Sequence, residues 1–481
     1  MDKLRDNSPL PPDKDNKGDS KGLGRDEEIL LSLYGKSEKI YPREVHGAFA
    51  QFRVLAAVGL LGIFYGLPWL QWNGIQSVLL DLPARKFYIF GLVFWPQDLL
   101  YLTFLLVIAA LSLFFFTALA GRLWCGYACP QTVWTESFLW LGYMIEGSRV
   151  RQIQLDRAPL TFRKFRIKAT KHLVWLLFSA FTGFTFVAYF TPAKVLLAEL
   201  VQFSLGPWEA FWMFFYGLAT YGNAGWLREQ VCKYMCPYAR FQSAMFDDDT
   251  LIISYDEQRG EPRGARKPSS DHRRAGLGDC INCKMCVQAC PTGIDIRDGL
   301  QYECIGCSAC IDVCNEVMDK MGYPQGLIRY TTENALVGKT TRIIRPRIII
   351  YGLILVSLCG IFLYLLSQRV PLGLDIIRDR NQLYRETSGM IENVYTLKIL
   401  NMDERAHEYN LRAEGLPGLV LALDQTPVEV DAGKVIDVPV RLRVPEDDIT
   451  VGSMDVTFIL SATDNETLTI DKKARFLGPR P

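Results

Sequence analysis

The sequence predicts a membrane α-helical bundle of about five transmembrane helices, interrupted by a small cysteine-bearing domain and followed by an all-β, immunoglobulin-like sandwich. Three observations predict it. Five stretches are long and apolar; eight cysteines fall into two quartets of identical spacing; and beyond the last apolar stretch the pattern changes to strict apolar/polar alternation.

The bulk numbers fit a mixed chain. Its 481 residues suit about three domains. A net charge of +1 provides no field to recruit nucleic acid. Mean hydropathy is +0.09 although 22% of residues are charged, so very apolar and very polar segments alternate. The first 30 residues are polar and rich in Asp, Lys, Gly and Pro, with no apolar core of a signal peptide. Residues 1–35 are expected to be a disordered tail.

A bilayer span needs roughly 17–25 apolar residues. Stretches at about 53–72, 98–120, 172–190, 207–226 and 347–366 qualify. A sixth, 133–146, is short and carries Glu136, and is expected to be interfacial or buried against the bundle. Cationic residues crowd 121–171 (Arg149, Arg151, Arg157, Arg163, Lys164, Arg166, Lys168, Lys171) and 227–346, whereas 73–97 has only Arg85 and Lys86, and 191–206 only Lys194. The positive-inside rule then places the N-terminus, 121–171 and 227–346 in the cytoplasm and the C-terminal segment outside.

The sandwich is read from period two. Ile436, Val438, Val440, Leu442 and Val444 alternate with Asp437, Pro439, Arg441 and Arg443; Met454, Val456, Phe458 and Leu460 alternate likewise, as do Tyr395, Leu397 and Ile399. This region holds no cysteine, so its core must stand without a disulfide.

Twelve of the 13 cysteines sit in short repeated spacings, a distribution that indicates metal ligation. Cys280, Cys283, Cys286 and Cys290, then Cys304, Cys307, Cys310 and Cys314, each follow C-x2-C-x2-C-x3-C. Three thiolates from such a loop wrap one cubane while the fourth reaches the other, as in two-cluster ferredoxins. Hence Cys280, Cys283, Cys286 and Cys314 are expected on one [4Fe–4S] cluster, and Cys304, Cys307, Cys310 and Cys290 on the other. Zinc prefers separated pairs. The inserted element is thus a bacterial-type 2[4Fe–4S] ferredoxin domain. Asn315 stands where a proline often follows the last cysteine, which is expected to loosen that turn.

Two further pairs lie just after apolar stretches: Cys125 and Cys129 in Cys-Gly-Tyr-Ala-Cys-Pro, and Cys232 and Cys236 in Cys-Lys-Tyr-Met-Cys-Pro. The i, i+4 separation places both sulfurs of a pair on one helix face, with the proline ending or kinking that helix. Their recurrence suggests an internal repeat whose pairs face each other. Four such thiols can bind a soft ion such as Cu(I), form a redox-active dithiol, or simply pack. Met235 in the second motif can add a thioether ligand, but is read as core. Cys359, mid-span beside Gly360, reads as a small packing residue. His46 and His172 near span ends raise a haem question, but neither has a haem motif.

The combination resembles the cytochrome c oxidase accessory protein family CcoG, also called FixG or RdxA. The resemblance covers nearly the whole chain and includes Ile40-Tyr-Pro-Arg-Glu-Val, Leu374-Asp-Ile-Ile-Arg-Asp-Arg-Asn and Ile391-Glu-Asn-Val-Tyr-Thr-Leu-Lys-Ile. It implies a multi-pass protein of the bacterial inner membrane, with the ferredoxin domain cytoplasmic and the sandwich periplasmic. It also implies a role in assembling cbb-type oxidase by reducing Cu(II) to Cu(I), with that oxidase or its copper-assembly factors as partners. Copper is then a substrate or transient ligand, and Cys125, Cys129, Cys232 and Cys236 are the candidate catalytic residues.

Two other functions remain open at the level of sequence: an electron conduit between quinol or a cytoplasmic donor and a periplasmic partner, and a redox-sensing scaffold. Whether the chain is an enzyme, a copper-reducing oxidoreductase, stays open with them. The electron donor is unnamed, since no Gly-rich nucleotide fingerprint is present, and a homo-oligomer is compatible with the sequence. The expected domains are 1–50 (tail), 51–245 (four-helix membrane region), 246–345 (ferredoxin), 346–368 (fifth span) and 369–481 (sandwich).

Overall fold

A computed structural model describes residues 39–479 apart from 269–273, 275, 380–381, 388, 404, 424–425 and 466. The expected disordered tail at 1–35 lies outside the described residues. The chain divides into two units, Met1–Tyr41 and Pro42–Pro481. In the first, the Lys39 ammonium lies 4.9 Å over the Tyr41 ring. Everything below concerns the second.

Helix α1 (Ala48–Gly66) carries one charge, Arg53, and α2 (Leu99–Ala120) carries none. Short helix α3 (Leu123–Tyr127) follows, then α4 (Pro130–Glu146), α5 (Arg149–Arg157) and α6 (Phe162–Val187). Next come α7 (Ala193–Val201) and α8 (Pro207–Thr220), which runs into a π-turn, Tyr221–Leu227. A second π-turn, Val231–Met235, leads to α9 (Pro237–Ala244).

Among the described residues three helical segments are long and apolar enough to cross a membrane: Ala48–Trp69, Pro96–Ala120 and Pro346–Ser367. The other two expected spans fall on α6 and on α8 with its π-turn. The first begins with a charged turn, Phe162 to Lys171, and the second has only 14 α-helical residues. These two helices pack on each other through small residues. A Cβ on Gly183 would sit 2.2 Å from the Met213 carbonyl oxygen, so only glycine allows that approach. The 133–146 segment, expected to be interfacial or buried against the bundle, is part of α4 and buries one face there, while Trp140 and Met144 stay exposed. Phe138 is fully buried, its ring 5.3 Å from Trp175, whose indole N–H donates to the Phe138 carbonyl at 3.1 Å.

Loop 73–97 is more ordered than its sequence suggested. It forms a short antiparallel pair, β1 (Gln71–Trp72) with β2 (Ile75–Gln76), and a three-stranded sheet of β3 (Val78–Asp81), β4 (Lys86–Ile89) and β5 (Leu92–Phe94). Val93 and Trp95 pack on Leu400 and Met402 of the sandwich, Lys86 donates to the Gly433 carbonyl at 2.6 Å, and Arg369 pairs with Asp98 at 2.7 Å.

The cysteine-rich domain begins at β6 (Ile252–Tyr255) and α10 (Glu257–Gly260). It continues through α11 (Met285–Ala289), α12 (Ala309–Met321), β7 (Ile328–Thr331) and α13 (Glu333–Leu336). Strands β6 and β7 pair antiparallel beneath the two cysteine loops. Helix α14 (Pro346–Ser367) then packs along α2. The cysteine-rich domain meets the start of α1, and the sandwich meets the sheet between α1 and α2. The two domains therefore lie at opposite ends of the long helices.

The sandwich has the predicted strands. One sheet orders β12 (Val420–Ala422), β14 (Val435–Pro445), β10 (Met390–Asn401) and β8 (Leu372–Arg378), with β9 (Arg385–Thr387) also on β10. The other orders β13 (Val428–Val430), β11 (His407–Glu414), β15 (Ser453–Ala462) and β16 (Thr469–Leu477). Tyr395, Leu397, Val440, Leu442, Val456, Phe458 and Phe476 are fully buried between them. Each such side chain contributes about 1.5–3 kcal/mol, which is how the domain holds without a disulfide. Leu442→Ala would cost about 2–5 kcal/mol.

A candidate iron–sulfur and thiol centre

The two quartets sit on turns set by residue chemistry. Lys284 and Ser308 both take left-handed φ, 54° and 62°, immediately before α11 and α12. The two helices then diverge. Pro291 follows Cys290, and α11 stops after five residues. Asn315 follows Cys314, and α12 continues for 13. The expectation that Asn315 loosens the turn is therefore corrected. Asparagine keeps the backbone N–H that proline would remove, and its Oδ1 accepts from the Gly326 amide at 2.9 Å.

Cys280, Cys283, Cys286 and Cys314 line one small cavity with Tyr255 and Arg297. Burial pushes the Cys314 thiol up to about 12, and the nearby Cys286, Cys283 and Cys280 push in the same direction. Burial likewise raises Cys286 to about 12, against the pull of Arg297. The other quartet converges in the same way. Cys304 is raised by burial to about 11 and Cys307 to about 12, Cys290 acting on both; Cys310 rises well above its ordinary value through burial and then Cys307, Cys304 and Cys290. Cys314 thus lines the cavity of the first three cysteines, and Cys290 acts on Cys304, Cys307 and Cys310, while Cys286 also acts on Cys310. Thiols raised by burial need a cation to become thiolates, and cysteine-rich loops of this spacing fit a polynuclear one. Cys283 is exposed, leaving one edge of the first set open to solvent.

The two C-x3-C-P pairs depart from the expected single helix face. Cys125 lies in α3, but Cys129 is the N-cap of α4; Cys232 lies in a π-turn, but Cys236 is the N-cap of α9. Each proline starts the next helix at its first position, where its missing N–H costs nothing. Electrostatic influence nevertheless links the two pairs. Burial raises Cys125 to about 12, with Cys129 adding to it, and Cys232 also acts on it. Burial raises Cys232 to about 11, with Cys129 and Cys236 adding. Cys125 Sγ donates to Gln242 Oε1 at 3.3 Å.

This thiol site abuts the second quartet. A Cβ on Gly126 would lie 2.6 Å from the Gly306 carbonyl oxygen and 3.0 Å from Cys307 Cα, so the motif's glycine lets the two backbones touch. Tyr127, in the same motif, shares a hydrogen bond with Ser308 Oγ at 3.0 Å; Ser308 donates to Tyr330 at 2.6 Å, and Tyr330 donates to the Gly306 carbonyl at 3.0 Å. Arg53 of α1 donates to the Cys307 carbonyl at 2.5 Å. Asp312 caps the start of α1, accepting from the amides of Phe49 (3.3 Å) and Ala50 (2.7 Å).

Sequence reasoning missed Arg53, Arg122, Tyr127, Ser308, Asp312 and Tyr330, because each acts on a segment far away in the chain. Only the placement of Arg122 and Tyr127 beside the first cysteine pair offered a signal. The remaining candidates are elsewhere. His46 is exposed, while His172 Nδ1 shares a hydrogen bond with the Tyr221 hydroxyl at 2.9 Å and its ring stacks on Trp226. Cys359 is half-buried on α14. Met235 is exposed, against the expectation that it packs in the core; the π-turn points it outward.

Comparison with known proteins agrees with this geometry. Residues 227–333 match the 4Fe-4S dicluster domain family, 102–144 a 4Fe-4S binding domain, and 362–479 the IG-like fold at the C-terminus of FixG, putative oxidoreductase. The chain is 36% identical to the nitrogen fixation protein FixG of Rhizobium meliloti, over 86% of this chain and 88% of that protein. It is 40% identical to protein RdxB of Cereibacter sphaeroides, over 83% of this chain and 87% of that one. Protein RdxA of the same organism is 39% identical over 85% and 87%. With 36–40% identity over most of each chain, and with the dicluster and FixG C-terminal models matched, the chain belongs to the FixG/RdxA family of membrane iron–sulfur electron-transfer proteins.

Proposed function

We propose that the chain reduces Cu(II) to Cu(I) at the four-cysteine site formed by Cys125, Cys129, Cys232 and Cys236, in support of copper delivery to cbb-type cytochrome c oxidase. The observation that carries this is the contact of Gly126 with Gly306 and Cys307, which sets the thiol site directly against the second quartet. Cys280, Cys283, Cys286 and Cys314 hold one [4Fe–4S] cluster, and Cys290, Cys304, Cys307 and Cys310 hold the other. Such clusters, when bound, supply one electron at potentials near about −400 mV, low enough to reduce Cu(II). Cu(II) gains that electron without any bond being made or broken in the protein. The four thiols suit the product, because soft sulfur ligands favour Cu(I). Burial raises Cys125 and Cys232, so copper binding to these two releases protons. The cationic loops 121–171 and 227–346 support a cytoplasmic ferredoxin domain, which leaves the sandwich on the periplasmic face as a docking module.

The test is anaerobic protein, chemically reduced, mixed with Cu(II) and a chromogenic Cu(I) chelator. Cys125→Ser with Cys232→Ser should keep both cluster signals in electron paramagnetic resonance while Cu(I) output falls at least about tenfold, consistent with the loss of soft ligands. Unchanged output would refute the assignment. A second reading, that these four cysteines hold further iron, is favoured by the 4Fe-4S binding-domain match at 102–144, which includes Cys125 and Cys129. Iron content that drops in the same double variant would support it over copper.

A further inference from the structure

The two quartets differ in the cations around them. Beside the first, Arg297 makes two bonds to the Asp295 carboxylate, Nε at 2.8 Å and Nη2 at 2.5 Å, and Arg259 pairs with Asp279 at 2.5 Å. Those two positive charges are matched locally, and the other cation lining that cavity, Lys284, is exposed to solvent, which screens it. Beside the second quartet stands Arg122, only 7% exposed. Among the described residues its hydrogen bonds go to neutral carbonyls. Nη1 donates to Tyr302 and to Cys304 (2.9 Å), and Nη2 donates to Ala239 at 2.6 Å. Its Nε is buried and makes no hydrogen bond among the described residues. Arg53, also buried, serves the same quartet through the Cys307 carbonyl, with Glu136 at 3.7 Å.

Arg122 also touches both halves of the thiol site. It lies three residues before Cys125, and Ala239 lies three residues after Cys236. Its own carbonyl oxygen lies 3.0 Å from where a Cβ on Gly306 would stand. The groups acting on its charge are Cys125, Cys304 and Cys232, then the Glu303 carboxylate. Asp312 is turned to the start of α1.

We propose that Arg122 is a positioning residue that makes the Cys290, Cys304, Cys307 and Cys310 site the more oxidising of the two cluster sites while clamping it to both C-x3-C-P motifs. The physical reason is charge. Reduction adds a negative charge to a buried group, and a nearby cation held on neutral carbonyls, with Glu303 offsetting it only in part, favours that state. This inference rests on the ligand sets given under the proposed function, but not on copper.

The experiment is a redox titration of the full-length, anaerobically purified protein, followed by electron paramagnetic resonance. Cys283→Ser removes the first cluster and so assigns the two transitions; if it removed neither signal, the ligand sets themselves would be wrong, independently of Arg122. Arg122→Gln should lower the reduced-to-oxidised ratio of the second site at least about tenfold at a fixed potential, a shift of ~59 mV for one electron, and leave the first site unmoved. Arg122→Lys should recover most of the shift. Glu303→Gln, a milder change that removes a carboxylate, should move the same transition upward. Equal midpoints in wild type, an unmoved second site with its signal intact in Arg122→Gln, or a downward shift in Glu303→Gln would overturn the proposal.

Discussion

Gly126→Ala is the sharpest perturbation of the contact on which the function rests. The added Cβ would stand 2.6 Å from the Gly306 carbonyl oxygen, whereas ordinary contact begins at 3.4 Å, so about 0.8 Å of retreat is required. The atoms in the way are backbone, at Gly306 and at Cys307 Cα, and no side chain can rotate aside. Overpacking of this kind costs about 1–3 kcal/mol. If that cost falls on the docking of the cluster loop against α3, the undocked population rises on the order of 5–150-fold. Hydrogen–deuterium exchange on the 300–310 peptide of intact, cluster-loaded protein reads that population directly. The control is Gly62→Ala in α1, where a Cβ meets nothing within 4 Å. There alanine should be neutral or stabilising by about 0.4–1 kcal/mol. Exchange in Gly126→Ala that matches the control would refute the argument that backbone contact couples the two sites.

Three other outcomes follow from the structure. Asp312→Ala removes the acceptor for the Phe49 and Ala50 amides; losing a cap of this type costs about 0.5–2 kcal/mol, so exchange at 46–53 should quicken, with Asp312→Asn, which keeps one acceptor oxygen of two, in between. Cys283→Ser and Cys307→Ser should each remove roughly half of the iron and a different resonance signal, as expected for separate cubanes; identical spectra would contradict the two ligand sets. The sandwich should lose stability as pH rises. Burial lowers the His407 pKa, but hydrogen bonds and charge from Asp403 (3.0 Å) and Asp464 (2.8 Å) outweigh it and raise the value above 6.5. A raised folded-state pKa gives stability that is complete below 6.5 and is lost as pH passes the folded value. Thermal unfolding of the sandwich at pH 6 and pH 9 should therefore differ in wild type, and the difference should shrink in His407→Gln.

The sequence by itself determined what is periodic or locally spaced. Long apolar runs, free of charge in α2 and with only Arg347 at the start of α14, become helices in lipid, because every backbone group must bond within the segment. Alternation at 436–444 and 454–460 gave β14 and β15, since side chains on a strand have period two. The cysteine quartets named their cofactor because four thiolates at those spacings match a cubane. Tertiary structure decided what depends on distant partners. Each C-x3-C-P pair is split between two elements because proline opens a helix more readily than it closes one, and local spacing could not show that. The 73–97 segment became a sheet because the sandwich covers it through Leu400 and Met402. The meeting of Gly126 with Gly306, of Asp312 with α1, and of Arg122 with Tyr302, Cys304 and Ala239 joins residues more than 100 apart in the chain. Such contacts are set by how the elements pack.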